Sequence, residues 1–248
     1  MITKNTVKYI QSLQHKKFRD EFNIFVAEGP KVVGELLLQN KFVCEAIYIT
    51  DKGMQLLQNS LANLPVDKLH LVKEYELQKI STLVAANVVV GIFKKAAAVA
   101  MLPVKNNIVL ALDDVQDPGN LGTIIRTADW FGIPTIYCSL ATACCYSPKV
   151  VQSTMASLAR VNVVYTNLAT MLAQNSLVKK YATTLHGQNI TSFKKITEGI
   201  LLIGNEGNGL AADILAYATD AVTIERVGGA ESLNVAVATG IILHSLTR

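Results

Sequence analysis

The second half of the chain contains short, almost continuously apolar segments, separated from one another by helical patterns and turns. The strongest are NIVLALDD (residues 107–114) and GILLIG (residues 199–204). Strands that are apolar on both faces are typical of a parallel sheet covered by helices. We therefore predict an α/β fold with a parallel sheet for residues 107–248, ending in a long helix over residues 231–246.

The first half alternates strands and helices in the same way, with weaker strands. FNIFVAEG predicts a strand that ends at Gly29, and the following PKVVGELLLQN predicts a helix with Pro30 at its start. This alternation predicts a small α/β sandwich domain over residues 1–94. Small and polar residues with one proline follow, so residues 95–106 are predicted to link two domains.

The charged residues are divided unevenly between these halves. Residues 1–106 carry 14 Lys and Arg against 9 Asp and Glu, a net charge of +5, and residues 107–248 carry 9 against 10, a net charge of −1. The first twenty residues predict an amphipathic helix with a basic face. Such a face is either simply solvated or binds a polyanion, and both interpretations are open. The cations that would contact a polyanion are Lys16, Lys17 and Arg19.

Several classes of protein are excluded by composition. The N-terminal segment lacks the apolar core of a secretory signal, and the apolar stretch of residues 88–104 is broken by Lys94, Lys95 and Pro103. The four cysteines form no C-x-x-C pair and the histidines are scattered, so neither a disulfide framework nor a metal site is predicted. We expect a cytoplasmic protein without a structural metal.

Three loops of the second half have unusual compositions, at positions where a parallel sheet binds its ligands. The first, residues 113–122, combines Asn120 with two glycines and leads into a helix whose second turn is predicted to carry Arg126. The two glycines allow close backbone approach, and the arginine is a permanent cation. An ordinary Asp/Pro/Gly turn with a surface arginine explains this loop equally well.

The second and third loops are harder to explain as plain turns. Residues 201–210 have the glycine spacing G-x-x-G-x-G with Glu206 inside the loop, which does not suit a pyrophosphate. Residues 224–234 precede the last predicted helix, and Ser232 or Glu231 is expected to cap it. Asn234 is predicted to lie inside the first turn of that helix, where capping alone does not explain it.

Together the three loops resemble the signature motifs of SpoU-type (TrmH-like) RNA ribose 2′-O-methyltransferases of the SPOUT superfamily. The motifs are N-x-G-x-x-x-R from Asn120 to Arg126, I-G-N-E-G-x-G-L over residues 203–210 and E-S-L-N-V-A-V-A over residues 231–238. The first half resembles the substrate-binding domain that precedes such catalytic domains, with F-V-A-E-G at residues 25–29. The resemblance covers nearly the whole chain.

The resemblance implies a trefoil-knotted catalytic domain over residues 107–248 and a first domain similar to a ribosomal protein. It also implies S-adenosyl-L-methionine (AdoMet) as the methyl donor and a homodimer with each active site at the interface. It assigns catalytic positions to Arg126, Asn120, Glu206, Asn234 and Ser232. It assigns donor-binding positions to Leu202, Gly204, Asn205, Gly207, Ile224 and Leu233, and no metal.

The resemblance also implies an RNA substrate, ribosomal RNA of the 23S type or otherwise transfer RNA, which Arg126 would contact together with the N-terminal cations. The alternative is a non-catalytic RNA-binding protein of the same fold. One departure supports that alternative: Glu225 stands where family members commonly have proline, which puts the rigidity of the donor loop in question. Trp130 is predicted to pack in the core rather than to stack on a base.

Overall fold

The computed structural model describes residues 2–97 and 104–247, and the chain divides into two compact units. The first comprises Met1–Ala97 and Cys144–Arg160, and the second comprises Ala98–Ala143 and Val161–Arg248. The predicted linker includes residues 98–103, which lie outside the described residues, and its boundaries stay a prediction. Residues 144–160 were expected within the alternation of the second half, and the structure groups them with the first unit instead.

A four-stranded sheet with strand order β1-β4-β2-β3 forms the centre of the first unit. Strands β1 and β2 both pair antiparallel with β4, and β2 pairs parallel with β3. The strands are β1 (Ile24–Glu28), β2 (Cys44–Ile49), β3 (Leu69–Leu71) and β4 (Val89–Lys94). The helices, numbered along the chain, are α1 (Lys4–Ser12), α2 (Lys16–Glu21), α3 (Pro30–Leu38), α4 (Asp51–Leu61), α5 (Glu74–Ile80) and α7 (Pro148–Ser153).

Both faces of this sheet are covered, so the predicted α/β sandwich is confirmed. On one face, residues of α1 and α5 such as Ile10 and Leu77 pack in a buried cluster with Val26 of β1. On the other face, Phe25 contacts the ring of Tyr146 at 5.0 Å between ring centroids. Tyr146 belongs to the segment of residues 144–160, and this aromatic contact explains why that segment forms part of the first unit.

The F-V-A-E-G segment has a structural role at the end of β1. The buried carboxylate of Glu28 accepts hydrogen bonds from the hydroxyl of Ser81 at 2.5 Å and from the backbone N–H of Thr82 at 2.7 Å. Gly29 follows with φ at +89°, a conformation that side chains with a Cβ rarely adopt, and α3 begins at Pro30 as predicted. The segment therefore connects β1 to the loop after α5 and starts α3.

The second unit is built on the predicted parallel sheet, with strand order β10-β8-β9-β5-β6-β7 and every pairing parallel. Its strands are β5 (Ile108–Leu112), β6 (Thr135–Cys138), β7 (Asn162–Tyr165), β8 (Lys180–Asn189), β9 (Gly199–Ile203) and β10 (Asp220–Thr223). Its helices are α6 (Pro118–Trp130), α8 (Leu168–Gln174), α9 (Ala212–Leu215) and α10 (Val235–Thr247). None of the helices in residues 2–97 and 104–247 is long and apolar enough to cross a membrane.

The core of the second unit lies on both faces of this sheet. Residues of α8 and α9, including Met171 and Ile214, pack against Val109 and Leu202 of the central strands. Helix α6 packs against the final helix α10. Strands β5 and β9 are adjacent and fully buried, and Leu112 lies opposite Ile203 at the ends of both strands. The first and second loops therefore leave the sheet side by side, which brings two of the three motifs together.

Lys180, at the start of β8, is expected to be a stabilising residue of this unit. Its ammonium group is buried and donates hydrogen bonds to the carbonyl oxygens of Asn175 at 2.7 Å and Val178 at 2.8 Å. We expect Lys180→Met to lower the free energy of unfolding by about 2–3 kcal/mol, because buried carbonyl groups lose a charged donor. Lys179→Met is the matched control, since that side chain is 64% exposed and should matter by less than about 1 kcal/mol. Equal denaturant midpoints for both variants would contradict this assignment.

Candidate active site

Hydrogen bonds hold the first and second loops against each other. Asp113 follows β5, and its carboxylate accepts a hydrogen bond from the backbone N–H of Ala211 at 2.9 Å. Asp114 has a positive φ of 57°, and its carbonyl oxygen accepts a hydrogen bond from the side-chain amide of Asn205 at 2.8 Å. Each loop is therefore positioned by the other as well as by its own strand.

The second loop forms a tight turn that depends on Gly204. The backbones of Asn205 and Gly209 exchange two hydrogen bonds of 2.9 Å, and the side-chain oxygen of Asn205 accepts a third from the N–H of Gly207 at 2.8 Å. A Cβ at Gly204 would lie 2.2 Å from the carbonyl carbon of Gly209, far inside van der Waals contact. Only glycine leaves room for the chain to fold back on itself here.

Helix α6 begins at Pro118, earlier than the sequence suggested, because Asp117 caps it. The carboxylate of Asp117 accepts a hydrogen bond from the N–H of Asn120 at 2.8 Å. Asn120 therefore lies in the first turn, and Arg126 is in the third turn instead of the predicted second. Six helical residues correspond to about 9 Å along the axis and about 240° around it, so these two side chains point in different directions.

The third motif is capped by Asn234, not by Ser232 or Glu231 as predicted. Helix α10 begins at Val235, and the side-chain oxygen of Asn234 accepts hydrogen bonds from the N–H groups of Ala236 at 3.0 Å and Val237 at 3.3 Å. Asn234 therefore lies immediately before the helix, not inside its first turn. Capping uses only the oxygen of its side chain, so the amide nitrogen remains available for another contact.

A chain of hydrogen bonds between three side chains connects all three motifs. The amide nitrogen of Asn234 donates to the side-chain oxygen of Asn120 at 2.9 Å, and the amide nitrogen of Asn120 donates to the carboxylate of Glu206 at 2.6 Å. This order fixes the orientation of both carboxamides, because only one end of each can donate. The network holds the Glu206 carboxylate in place beside an adjoining cavity.

That cavity has a volume of about 500 Å³, within the range of roughly 300–1,000 Å³ that is usual for cofactor sites. Its wall consists of residues 183–185, 204–209, 222–228 and 230–233, together with three residues of α10, which are Val235, Ala238 and Ile242. Three carboxylates line it against one arginine, Arg226. These carboxylates are Glu206, Glu225 and Glu231. A pocket of this charge suits a cation or a hydroxyl-rich molecule and disfavours a phosphate.

Comparison with known proteins identifies the family. Residues 107–244 match the model of the SpoU rRNA methylase family, and residues 4–91 match that of the MRM3-like substrate-binding domain. The chain belongs to the SpoU rRNA methylase family. The resemblance inferred from the three motifs is thereby confirmed.

Similar proteins cover the SpoU-family chain over nearly its full length. It is 32% identical to the 23S rRNA (guanosine(2553)-2′-O)-methyltransferase RlmP of Bacillus subtilis, over 97% of this chain and 95% of that protein. The AdoMet-bound rRNA methyltransferase of Sinorhizobium meliloti superimposes with a TM-score of 0.87 at 31% identity, over 99% and 95% of the two chains. A TrmH-family protein from Porphyromonas gingivalis superimposes with a TM-score of 0.89 at 34% identity, over 100% and 98%.

Most of the donor-binding residues predicted for this SpoU-family chain line the cavity. These are Gly204, Asn205, Gly207, Ile224 and Leu233. Leu202 does not line it, because its fully buried side chain packs in the core against α8 and α9. Of the predicted catalytic residues, Glu206 and Ser232 line the cavity. Asn120 and Asn234 reach it through the hydrogen-bond network, whereas the exposed Arg126 does not line it.

Glu225, which replaces the proline common in the SpoU family, has a partner in the structure. Its carboxylate accepts a hydrogen bond from the side-chain amide of Asn189 at 2.9 Å. Asn189 is the last residue of β8. The bond connects the third loop to the neighbouring strand, and it restrains a position where proline would have restricted φ.

Two threonines of β8 belong to the site and were not predicted from the sequence. Thr183 and Thr184 line the cavity, and the hydroxyl of Thr183 donates to the carbonyl oxygen of Leu202 at 3.0 Å. The hydroxyl of Thr184 is buried without a hydrogen-bond partner among the described residues. Two consecutive polar residues after the buried start of a strand are the signal that could have identified them.

The structure separates the residues predicted to contact RNA in the first unit. Lys16 and Lys17 are exposed at the start of α2, but Arg19 is buried. The Arg19 guanidinium donates to the carbonyl oxygens of Leu13 at 2.9 Å and Gln14 at 2.7 Å, so the prediction that it contacts RNA was wrong. The prediction for Trp130 was also wrong, because its side chain at the end of α6 is 76% exposed instead of packed in the core.

The asparagine network predicts non-additive effects of substitution. We expect Asn120→Ala and Asn234→Ala each to lower the methyl-transfer rate by about 10- to 100-fold, because each frees the Glu206 carboxylate from its fixed position. The double variant should lose little more than the worse single variant, since both changes break one chain of bonds. Single-turnover rates for the four proteins would measure this coupling. Strictly additive losses would show that the two side chains act independently.

Proposed function

We propose that the chain transfers the methyl group of AdoMet to a ribose 2′-hydroxyl of RNA. The observation that carries this proposal is the carboxylate-lined cavity beside the Asn234–Asn120–Glu206 network, in a chain of the SpoU family. The full-length relatives support it, because one is named as a 23S rRNA 2′-O-methyltransferase and another was solved with AdoMet bound.

The residues of the cavity suit AdoMet as the donor. AdoMet is a sulfonium cation with a ribose and an adenine, and Glu206, Glu225 and Glu231 supply negative charge in this cavity. The buried Thr184 hydroxyl has no partner within the described residues, so a bound polar ligand would satisfy it. The apolar side chains of Ile224 and Leu233 line the cavity and suit an adenine ring. When bound, AdoMet supplies an electrophilic methyl group.

The chain's own residues would position the ribose and stabilise the charge that develops on its oxygen. Asn120 holds the Glu206 carboxylate by a hydrogen bond. The proposed role of Glu206 is to orient the second loop and the substrate hydroxyl. Arg126 remains protonated at physiological pH, so its proposed role is electrostatic stabilisation of the alkoxide and binding of the flanking phosphate. Ser232 lines the cavity and is a further hydrogen-bonding group for the ribose.

The proposal includes a homodimer with the active site at the interface. Arg126 is exposed and lies outside the lining of the cavity in its own chain, which supports a role in the site of a second copy. Val237 and Ile241, one turn apart on α10, are 52% and 37% exposed, and Leu233 before the helix is 48% exposed. Helix α10 packs against α6, which carries Arg126. An apolar strip of this kind, on a helix that packs against the helix of Arg126, suits burial by a second copy.

Ribosomal RNA of the 23S type is the proposed substrate, and transfer RNA is the alternative. The match of residues 4–91 to a substrate-binding domain and the named activity of the Bacillus subtilis relative support ribosomal RNA. A cytoplasmic location is part of the same proposal. The trefoil knot likewise remains a prediction from the family resemblance.

The proposal is tested with the full-length protein in two measurements. We expect calorimetry to show AdoMet binding, and we expect labelled methyl groups from AdoMet to enter ribosomal RNA. The labelled positions should resist alkaline cleavage, because a methylated 2′-oxygen is no longer a nucleophile for the adjacent phosphate. No AdoMet binding at millimolar donor, with RNA binding retained, would instead favour the non-catalytic RNA-binding protein. Label that enters alkali-sensitive positions would indicate methylation of bases.

A further inference from the structure

Four aromatic rings form a continuous run along the first two helices of the first unit. The ring centroids of Tyr9 on α1 and Phe22 after α2 are 5.3 Å apart. Phe22 stacks with Phe18 at 6.3 Å and an interplanar angle of 15°, and Phe18 contacts His15 edge-on at 6.4 Å. We call these four residues the ring surface.

The ring surface lies at the edge of the core: Phe18 is half-buried against it, and the other three residues are exposed. Tyr9 is 39% exposed and Phe22 is 42% exposed, and His15 is also exposed, whereas the core rings of this unit, such as Phe25 and Phe93, have no exposure. Half-exposed rings in contact with one another present apolar faces to solvent, which costs free energy unless a ligand covers them. The arrangement suits flat, apolar ligand groups.

The charges around the ring surface favour a polyanion. Lys8, Lys16 and Lys17 are exposed, and they form no ion pair within the part of the chain that the structure describes. The Lys17 ammonium lies 5.9 Å from the centre of the Phe18 ring. Burial, followed by the nearby Glu45 charge, raises the pKa of Tyr9, so its phenol is neutral at physiological pH.

Two nearby acidic groups are neutralised by lysines of β4 and the residue after it. The Asp20 carboxylate accepts a hydrogen bond from Lys95 at 2.5 Å, and this bond holds the pKa of Asp20 below its usual value. Glu45 lies 3.5 Å from the Lys94 ammonium. Glu21, exposed at the end of α2, forms no ion pair among the described residues. Three lysines of α1 and α2 therefore stand against one carboxylate, and the local charge is positive.

We propose that the ring surface is a stacking site for unpaired bases of the RNA substrate, with Lys8, Lys16 and Lys17 contacting the flanking phosphates. Aromatic faces next to cations are the combination that binds single-stranded nucleic acids, since every base has a face that stacks. A duplex keeps its bases stacked on one another, so its grooves offer no base face to Tyr9 or Phe22. The site therefore selects loops and unpaired ends in the substrate.

This inference rests on the proposed function for the identity of the ligand, and its test separates the two. The probe is a single-stranded RNA of ten nucleotides with one 2-aminopurine, whose fluorescence falls when the base stacks on a ring. We expect the full-length wild-type protein to quench it. The variant Tyr9→Leu with Phe22→Leu should bind at least about tenfold more weakly and quench little.

Salt dependence distinguishes stacking from phosphate binding. The ring variant should keep the wild-type slope of log affinity against log salt, because its lysines still neutralise the phosphates. The variant Lys16→Gln with Lys17→Gln should lower the slope by about 0.7 for each phosphate that is no longer neutralised. Tyr75→Leu is the matched control: this tyrosine on α5 is 53% exposed beside Lys79 but lies outside the run of rings, and its loss should change nothing.

Two results would overturn the ring surface as a stacking site. One is wild-type affinity and quenching in the ring variant; the other is an equal loss of affinity for single-stranded RNA and for a duplex of the same length. Phe22→Leu alone provides the same readout if the double variant melts at a lower temperature than wild type. Failure of the proposed function would give a different result. The wild-type protein would then neither bind AdoMet nor transfer methyl groups, but it would still quench the 2-aminopurine fluorescence.

Discussion

Replacing Arg126 with alanine should lower the rate of methyl transfer by about 10²–10³-fold, because the developing alkoxide loses its cationic partner. Arg126 does not line the cavity of its own chain, so AdoMet affinity should stay at the wild-type value. Arg126→Lys keeps the charge but loses the planar, forked geometry, and we expect an intermediate rate. Single-turnover transfer at saturating donor measures the effect, and calorimetry with AdoMet provides the control for folding.

Mixing two inactive proteins tests whether Arg126 acts across a dimer interface. Arg126→Ala keeps an intact cavity, and Gly204→Ala keeps its arginine. If the arginine of one subunit serves the cavity of the other, random mixed dimers should recover about a quarter of the wild-type activity. No recovery in dimers shown to have exchanged subunits would place the arginine and the cavity in one chain. Full activity of Arg126→Ala alone would remove the residue from the catalytic set.

The variant Gly204→Ala should bind AdoMet much more weakly than wild type. The added Cβ would lie 2.2 Å from the carbonyl carbon of Gly209 and 2.4 Å from the backbone nitrogen of Leu210, so the loop must open. Backbone overlap of this kind costs about 1–3 kcal/mol. If the loop relieves the overlap by distorting the donor site, this cost corresponds to a loss of roughly 5- to 150-fold in AdoMet affinity. Calorimetry measures this loss directly.

Gly229→Ala is the matched control for this substitution. Gly229 lies in the third loop, where an added Cβ would have no atom within 4 Å, and it has no positive φ. We expect its donor affinity to remain within about twofold of wild type, since surface changes of this kind alter free energies by about 0.5 kcal/mol or less. If Gly204→Ala also binds AdoMet like wild type, the tight turn of the second loop is not part of the donor site.

The convergence of the three loops was predictable because strand ends in a parallel sheet share one edge. Residues 107–112 and 199–203 are apolar enough to identify as buried strands, and their loops do meet. The hydrogen bonds from Asn234 to Asn120 and from Asn120 to Glu206 could not be predicted. They depend on helix start positions, and α6 begins at Pro118 and α10 at Val235, each differing from the sequence-based expectation.

The predictions for Arg19 and Trp130 were wrong because both residue types occur in buried and in exposed positions. Arg19 follows Lys16 and Lys17 in a basic run. Its buried guanidinium, however, donates hydrogen bonds to two carbonyl groups of the turn between α1 and α2. Trp130 ends α6 on an exposed position, although aromatic residues are usually buried. Neither difference is visible in local composition, because burial depends on which helix face packs.

The division of the chain sharpens the charge asymmetry seen in the sequence. Residues 144–160 belong to the first unit and contribute two further cations, Lys149 and Arg160. Counted over Met1–Ala97 and Cys144–Arg160, 15 basic residues stand against 9 acidic ones, a net charge of +6, and the second unit has 8 against 10, a net charge of −2. A truncation at residue 100 would remove Tyr146 and with it the ring contact to Phe25 of the first unit. Point substitutions leave this contact intact, so they test RNA binding more cleanly than a truncation.

Mapping 2′-O-methyl groups in ribosomal and transfer RNA from cells that lack this protein tests the proposed activity most directly. We predict the loss of 2′-O-methylation at a defined site in ribosomal RNA, restored by the wild-type chain and not by Arg126→Ala. A loss confined to transfer RNA would correct the substrate and retain the chemistry. Unchanged 2′-O-methylation in both RNA classes would contradict the proposed activity.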